Sequence, residues 1–221
     1  MGDDQPDLIR RIASVLGHEL RNPLAVINNS AYFVRAKLGS AGLDPKVEKH
    51  LKIIESEISR ADGLIGDMLA YVRPHEAAVE TKVFDAVVKS AVAAYEPPAG
   101  VKLDVKLGAK DAKARVDVKG FNDALNRVLD NAVDAMGSKG AAKIATGVDS
   151  SVVFVTVADG GLGVAAEVKS TLFDPFVTSK PRGLGLGLSL ARKYLEAVGG
   201  KITVESTPTG STFRLSLPKA R

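Results

Sequence analysis

Residues 47–72, VEKHLKIIESEISRADGLIGDMLAYV, carry apolar side chains at alternating steps of four and three, the spacing of a helical heptad seam. The seam consists of Val47, Leu51, Ile54, Ile58, Ala61, Ile65, Met68 and Val72. A matching upstream series consists of Leu20, Leu24, Ile27, Ala31, Val34 and Leu38. Residues 39–45 contain two glycines, and Pro45 follows the candidate N-cap Asp44. The pattern therefore predicts two long antiparallel helices joined by a turn.

A two-helix hairpin of this length has too little interior to bury both seams by itself. We therefore expect a homodimer in which two hairpins form a four-helix bundle. The alternative is a hairpin that buries its seams against the downstream part of the same chain.

After Pro74 the pattern changes to alternating strands and helices, which indicates a second domain of α/β character. Predicted strands cover residues 101–107, 141–148, 151–158, 201–206 and 211–217. Predicted helices cover residues 84–95, 119–136 and 186–198. Because short polar turns join several strands, we expect a mixed sheet. The fold class is α+β, with domains at residues 1–75 and 76–221 and a hinge at 73–78.

The composition of the 221 residues, 45% hydrophobic and 25% charged, is typical of a folded globular protein. The chain contains no cysteine, which excludes disulfides and thiolate metal sites. A net charge of +4, spread among interleaved acids and bases, does not suggest nucleic-acid binding. No apolar run reaches the roughly 20 residues of a membrane helix, so we expect a cytoplasmic chain without a membrane segment.

The sequence GHELRNPL, residues 17–24, places a histidine five residues before a proline within the first predicted helix. Asn22 lies one turn beyond His18 on the same face, and Glu19 is the adjacent residue. Pro23 removes the hydrogen bond to the Glu19 carbonyl, so we expect a bend in the helix near His18. A carboxylate that holds one imidazole nitrogen makes the other a better nucleophile toward a phosphoryl group. His50 and His75 have no such neighbours and are interpreted as ordinary polar positions.

The sequence ALNRVLDNAVDAM, residues 124–136, predicts an amphipathic helix in which Asn131 stands among apolar residues. An amide oxygen facing a ligand is a suitable ligand for a magnesium ion that also contacts phosphates. Taken alone, a structural hydrogen-bonding role for this asparagine is the alternative.

In the sequence VADGGLGV, residues 157–164, a strand ends at Asp159 and glycines follow. A carboxylate at a strand end is well placed to accept a hydrogen bond from an adenine amino group. Gly161 and Gly163 permit close backbone approach and positive φ angles. An ordinary turn is the alternative if this motif stands alone.

The sequence LFDPFVTSKPRGLGLGLSLARKYL, residues 172–195, runs through three glycines into a helix. Free amides and the helix dipole favour phosphate binding at Gly183, Gly185 and Gly187, with positive charge from Lys180 and Arg182. The pattern fits neither a P-loop nor a dinucleotide fingerprint, since Leu188 occupies the third glycine position of the latter.

The order of these motifs resembles the sensor histidine kinases of two-component systems. HELRNPL resembles their H box, ALNRVLDNAVDAM the N box, DGGLG the first glycine box, LFDPF the F box and GLGLG the second glycine box. The resemblance implies a protein-histidine kinase with a dimerisation and phosphotransfer hairpin. It also implies an ATP-binding α/β sandwich of the Bergerat type, shared with gyrase, Hsp90 and MutL.

By this resemblance His18 is the phosphoacceptor, Glu19 polarises it, and Asn22 positions water for dephosphorylating the response regulator. The implied cofactors are ATP and Mg²⁺, with Asn131 as the metal ligand. The implied nucleotide-binding residues are Asn131, Asp159, Gly161, Gly163, Phe176, Lys180, Arg182, Gly183, Gly185, Gly187 and Leu188. Phe173 and Phe176 hold the lid. The implied partner is a receiver domain, with the signal supplied by an upstream sensor region or a separate protein.

One position departs from the family pattern, because Arg127 stands where the family often has a second asparagine, four residues before Asn131. Asn126 precedes it by one residue, and Arg127 is an alternative phosphate contact. Two rival functions are a phosphotransfer hairpin with a degenerate nucleotide domain, and an ATPase or serine kinase with the same sandwich. The intact Asp159 argues against the first rival, and the H box argues against the second.

Overall fold

The computed structural model describes residues 4–39, 44–180 and 183–220, with side chains given at residue 13 and from residue 15 onward. The chain divides into two compact units, Met1–Pro74 and His75–Arg221. This division lies one residue before the boundary predicted from the sequence.

The first unit contains two helices, α1 (Asp4–Leu38) and α2 (Pro45–Val72). α1 is continuous through Pro23. At the start of α2, the Asp44 carboxylate accepts a hydrogen bond from the Lys46 backbone N–H at 2.7 Å, which confirms the predicted N-cap. Most of the predicted turn, residues 40–43, lies outside the described residues.

The two helices are antiparallel and pack through a small apolar cluster near the phosphoacceptor candidate. Buried Ala13, Ile65 and Leu69 form the cluster, and Leu24 and Val72 flank it. Two cross-helix ion pairs fix the register: Arg21 Nε lies 2.6 Å from Asp62 Oδ1, and Arg35 makes a bidentate pair with Glu55 at 3.0 and 2.8 Å. Bidentate geometry adds specificity more than stability at such a partly exposed site.

Much of the apolar seam on this unit stays exposed in the single chain. Leu20 and Ile27 are each 48% exposed. Further exposed seam residues are Val34, Leu38, Val47 and Ile54. Ala31 and Leu51 are buried, so the hairpin covers only part of each seam. Exposed apolar stripes of this kind mark interaction surfaces.

Among the described residues, the second unit contains three α-helices, a short 3₁₀ helix (Ala166–Val168) and seven strands. The helices are α3 (Phe84–Ala94), α4 (Val118–Ala135) and α5 (Gly187–Glu196). The strands are β1 (Val79–Val83), β2 (Val101–Lys106), β3 (Lys113–Asp117), β4 (Gly140–Val148), β5 (Val152–Ala158), β6 (Lys201–Thr207) and β7 (Gly210–Pro218).

Five strands form a sheet in the order β2-β4-β5-β7-β6. β2 pairs with β4 in parallel and the other neighbours are antiparallel, so the predicted mixed sheet is confirmed. β1 and β3 pair separately and were missed by the sequence analysis. β1 is almost wholly exposed and its residues VETKV give no buried alternation, which explains the omission.

One face of the large sheet packs against the helices. The inward positions of β5 and β7 are fully buried: Val153, Val155, Val157, Phe213, Leu215 and Leu217. α4 contributes Phe121, Ala124, Leu125, Val128, Leu129 and Ala132 to the same core, at the three- and four-residue spacing of one helix face. Within the described part of the chain, no helix combines the length and apolarity that crossing a membrane requires.

Candidate functional site

His18 lies on the solvent-exposed part of α1, next to a glycine that packs on α2. His18, Glu19 and Asn22 are all exposed, whereas Gly17 is buried. A Cβ at position 17 would lie 2.7 Å from Leu69 Cδ1. The glycine thus lets the helices approach closely at this level, and the imidazole stays accessible to a reaction partner.

Arg21, one turn beyond His18, is held by Asp62 of α2. The guanidinium also lies 3.6 Å from where a Cβ at Gly66 would be. The contact keeps the helix turn after His18 in register with α2. Sequence analysis missed it, because the two residues are separated by the turn and carry no shared local motif.

In the second unit, Asp159 follows the last residue of β5 and is 9% exposed. Its Oδ1 accepts hydrogen bonds from the Gly161 N–H at 2.9 Å and the Ser211 N–H at 3.3 Å. Its Oδ2 is buried and has no hydrogen-bond partner among the described residues. A buried acceptor without a partner is costly, so this oxygen is suited to a donor on a ligand, such as an exocyclic amino group.

The glycine turn after Asp159 packs closely against the end of α4 and the end of β6. A Cβ at Gly161 would lie 2.6 Å from the Ala135 carbonyl oxygen at the end of α4. Gly163 has φ +71°, and a Cβ there would lie 1.9 Å from the Thr207 carbonyl oxygen. Glycine is required at both positions, since no other residue has the space or, at 163, the conformation.

Asn131 is partly buried on α4, one turn before Ala135. Residues four apart share a helix face, so Asn131 lies on the same face of α4 as Ala135, which contacts the glycine turn. Within the described residues no cluster of three or more histidine or acidic side chains is arranged to hold a metal ion. An amide oxygen is a suitable ligand for a Mg²⁺ ion that is also held by nucleotide phosphates, and Asn131 offers one.

The glycine-rich loop that precedes α5 is closed at its base by two residues with positive φ. Phe176 has φ +66° and its N–H donates to the Gly185 carbonyl at 3.0 Å. Gly185 has φ +71°, and a Cβ there would lie 2.6 Å from the Phe176 carbonyl carbon. The Phe173 ring packs edge-on against Phe213 of the core, with centroids 6.4 Å apart. Phe176 itself is 63% exposed.

α5 begins at Gly187, directly after this loop, and Leu188 is partly buried in its first turn. A Cβ at Gly187 would meet no atom within 4 Å, so there is open space at the helix start. At Gly183 a Cβ would lie 3.2 Å from Lys180 Cβ, and the Gly183 N–H donates to the Lys180 carbonyl at 3.1 Å. Lys180 forms an ion pair with Asp134 of α4, a contact that sequence analysis did not foresee. Arg182 lies outside the described residues. The arrangement suits an anion at the helix start.

The structure therefore places Asp159, Gly161 and Gly163 in one turn that contacts Ala135 at the end of α4. Asn131 lies one turn earlier on this helix, and Lys180 pairs with Asp134 of the same helix. His18, Glu19 and Asn22 belong to the other unit. The supporting residues Ala135, Ser206 and Ser211 were missed, because small common side chains carry no local signal of a role in a distant turn.

Two family models match the chain. The His Kinase A (phospho-acceptor) domain matches residues 8–77, and the histidine kinase-, DNA gyrase B- and HSP90-like ATPase matches residues 116–221. The sensor histidine kinase MtrB of Mycolicibacterium paratuberculosis (strain ATCC BAA-968 / K-10) is 32% identical over 230 residues, which cover 97% of this chain and 40% of MtrB. The chain spans less than half of the length of the curated relatives it matches.

Two solved structures share the fold. Full-length ShkA in complex with AMPPNP has a TM-score of 0.79 at 20% identity, over 95% of this chain and 46% of that one. The histidine kinase ThkA in complex with the response regulator protein TrrA has a TM-score of 0.68 at 24% identity, over 95% of this chain and 61% of that one. At these identities the similarity concerns the fold.

Proposed function

Because the chain belongs to the sensor histidine kinases of two-component systems, we propose that it binds ATP with magnesium and phosphorylates itself on His18. The phosphoryl group then passes to an aspartate in the receiver domain of a response regulator. The phosphotransfer domain is assigned to residues 1–75 and the ATP-binding domain to residues 76–221.

The buried Asp159 Oδ2 is the observation that carries this proposal. Oδ1 is held by two backbone N–H groups, so the carboxylate cannot turn away from the glycine turn. Oδ2 then accepts from the amino group of adenine, and Gly161 and Gly163 form the wall of the base pocket. An acceptor fixed in this way selects a base with an amino group and disfavours one with a carbonyl in its place.

The phosphate end of the nucleotide is assigned to the loop before α5. The amides at Gly185, Gly187 and Leu188 bind phosphate oxygens, helped by the dipole of α5. The Gly183 N–H donates to the Lys180 carbonyl at 3.1 Å, so Gly183 is assigned to the site as the glycine that closes this turn beside the phosphates. Lys180 and Arg182 add positive charge, and Phe176 closes the base of the lid.

Asn131 is assigned as the protein ligand of Mg²⁺. When bound, the ion neutralises phosphate charge, which is the main catalytic requirement of phosphoryl transfer. The residues of this chain contribute positioning, because the phosphate loop, Asn131 and Asp159 hold three parts of one nucleotide.

On the hairpin, His18 is the nucleophile and Glu19 polarises its imidazole. A carboxylate that accepts from one ring N–H leaves the lone pair on the other nitrogen free to attack the γ-phosphorus. ADP leaves as the N–P bond forms. Asn22, one turn away, orients the water that hydrolyses the phosphorylated regulator. The exposure of His18 on α1 supports this assignment, since both the ATP-binding domain and the response regulator must reach the same imidazole.

We further assign a homodimer formed through the exposed seams of α1 and α2, with Leu20 and Ile27 at its centre. A four-helix bundle buries both seams at once. The ThkA structure contains a response regulator protein bound to that kinase, and the shared fold supports a partner of the same class here. Consumption of ATP implies a cytoplasmic site of action.

Incubation with γ-labelled ATP and magnesium tests the function. Wild-type protein is expected to acquire acid-labile, base-stable label, and His18→Gln is expected to acquire none. His50→Gln, on the exposed surface of α2, is the matched control and should label like the wild type. Label that persists in His18→Gln would contradict the assignment. Absence of ATP binding by the wild type would instead favour a phosphotransfer module with a degenerate nucleotide domain.

A further inference from the structure

Ser206, near the end of β6, forms hydrogen bonds that no sequence motif indicates. Its hydroxyl accepts a hydrogen bond from the Val164 N–H, with 2.7 Å between nitrogen and oxygen. Val164 follows Gly163, where an added Cβ would lie 1.9 Å from the Thr207 carbonyl oxygen. β6 therefore holds the far end of the glycine turn by one hydrogen bond and one close backbone contact.

The Ser206 hydroxyl is also linked, through Ser211, to the buried carboxylate of Asp159. Ser206 and Ser211 are directly opposite in the β6–β7 register, and their hydroxyl oxygens lie 2.9 Å apart. Because Ser206 already accepts from Val164, its single proton is directed to Ser211 Oγ or to the Gly210 carbonyl at 3.4 Å. The Ser211 N–H donates to Asp159 Oδ1, and the Asp159 N–H donates to the Ser211 carbonyl at 2.9 Å.

These contacts connect both ends of the turn, at Asp159 and at Val164, to one short hairpin. We propose that Ser206 is a positioning residue for nucleobase recognition, which it serves by fixing the turn from Asp159 to Val164 on the β6–β7 hairpin. The inference rests on the proposed ATP binding and adds a residue that does not touch the nucleotide. Loss of the Ser206 hydroxyl leaves the Val164 N–H without its acceptor, so the Val164 end of the turn is no longer hydrogen-bonded to β6.

The test measures the affinity of the full chain for ATP, GTP and tripolyphosphate by calorimetry. Ser206→Ala is expected to weaken ATP binding about fivefold, the factor that one net hydrogen bond is worth. Tripolyphosphate has no base, so its affinity should not change, and the preference for ATP over GTP should fall. Ser206→Thr keeps a hydroxyl at this position, and threonine is well tolerated in strands. This variant should therefore have the wild-type ATP affinity and the wild-type preference for ATP over GTP.

Ser216→Ala is the matched control, because the Ser216 hydroxyl donates to the Lys201 carbonyl at the other end of the same hairpin. This variant should lose similar stability and keep wild-type selectivity. Equal ATP affinity in Ser206→Ala and wild type, or equal weakening of ATP and tripolyphosphate, would overturn the proposal. If Ser206→Ala does not fold, Ser206→Cys, with a weak sulfur acceptor, is expected to show the same loss of selectivity. A wild type that binds tripolyphosphate and no ATP would overturn the proposed function as well.

Discussion

Gly17 packs directly against Leu69 across the hairpin, with so little space that a Cβ at 17 would lie 2.7 Å from Leu69 Cδ1. The neighbouring residue on α1 is His18, so the helix separation at this point sets how the imidazole is presented.

We expect Gly17→Val to separate the helices at His18, because overpacking of this kind costs about 1–3 kcal/mol. Autophosphorylation should fall at least several-fold and the unfolding temperature should decrease, as measured with labelled ATP and by circular dichroism. The double variant Gly17→Val with Leu69→Ala should recover much of the autophosphorylation and of the unfolding temperature, because the smaller alanine makes room for the valine. A single variant that labels normally would show that the close contact is dispensable.

Asp159→Asn should abolish adenine recognition while leaving the protein folded. The amide oxygen can still accept from Gly161 and Ser211, but an amino group then replaces the unpartnered Oδ2 and meets the adenine amino group. We expect ATP affinity to fall about 10- to 100-fold, the worth of a hydrogen bond to a charged group. Thermal unfolding should show unchanged or increased stability, because a buried unpaired carboxylate oxygen is removed. Retained ATP affinity would place the base elsewhere.

Gly163→Ala and Gly160→Ala form a matched pair within one motif. Gly163 has φ +71° and no space for a Cβ, whereas a Cβ at Gly160 would meet no atom within 4 Å. Alanine at 163 should therefore distort the turn and reduce ATP binding by at least tenfold, measured by calorimetry. Alanine at 160 should have a much smaller effect. Similar losses in both variants would mean that backbone conformation at 163 is not the determining factor.

Asn131→Ala should remove the dependence of ATP binding on magnesium. In the wild type, ATP affinity is expected to be higher with Mg²⁺ than with EDTA, and in the variant the two values should converge. Asp123→Ala, on an exposed position of the same helix, should keep the wild-type difference. If Asn131→Ala retains the full magnesium effect, another residue holds the ion.

Ile27→Glu should dissociate the proposed dimer. The side chain is 48% exposed in the single chain, and a carboxylate there would be buried without a partner in a four-helix bundle. Light scattering at micromolar concentration should give twice the chain mass for the wild type and the chain mass for the variant. Ala36→Glu, at an exposed position of α1 outside the seam, should remain dimeric. A monomeric wild type would contradict the bundle.

Local sequence predicted the long elements well because each repeats one signal many times. The heptad seams gave both hairpin helices, and the apolar spacing of residues 124–136 gave α4. β1 and β3 were missed because they are short: β1 has no buried alternation, and the alternation in β3 has only two apolar residues, Ala114 and Val116. His75 was interpreted as an ordinary polar residue, yet its Nε2 lies 2.7 Å from the buried Asp117 carboxylate and its ring packs edge-on against Tyr194. Those partners lie 42 and more residues away, beyond the reach of any local pattern.

The sequence by itself determined the fold class, the order of the motifs and the residue types that we propose to bind and react, since these depend on periodicity and on the chemistry of single side chains. Only the tertiary structure decided which oxygen of Asp159 is left for a ligand, which glycines lack space for a Cβ, and that Lys180 pairs with Asp134. Each of these depends on a contact between segments far apart in the chain. Such contacts form only when the helices and strands have packed, so no local pattern in the sequence indicates them.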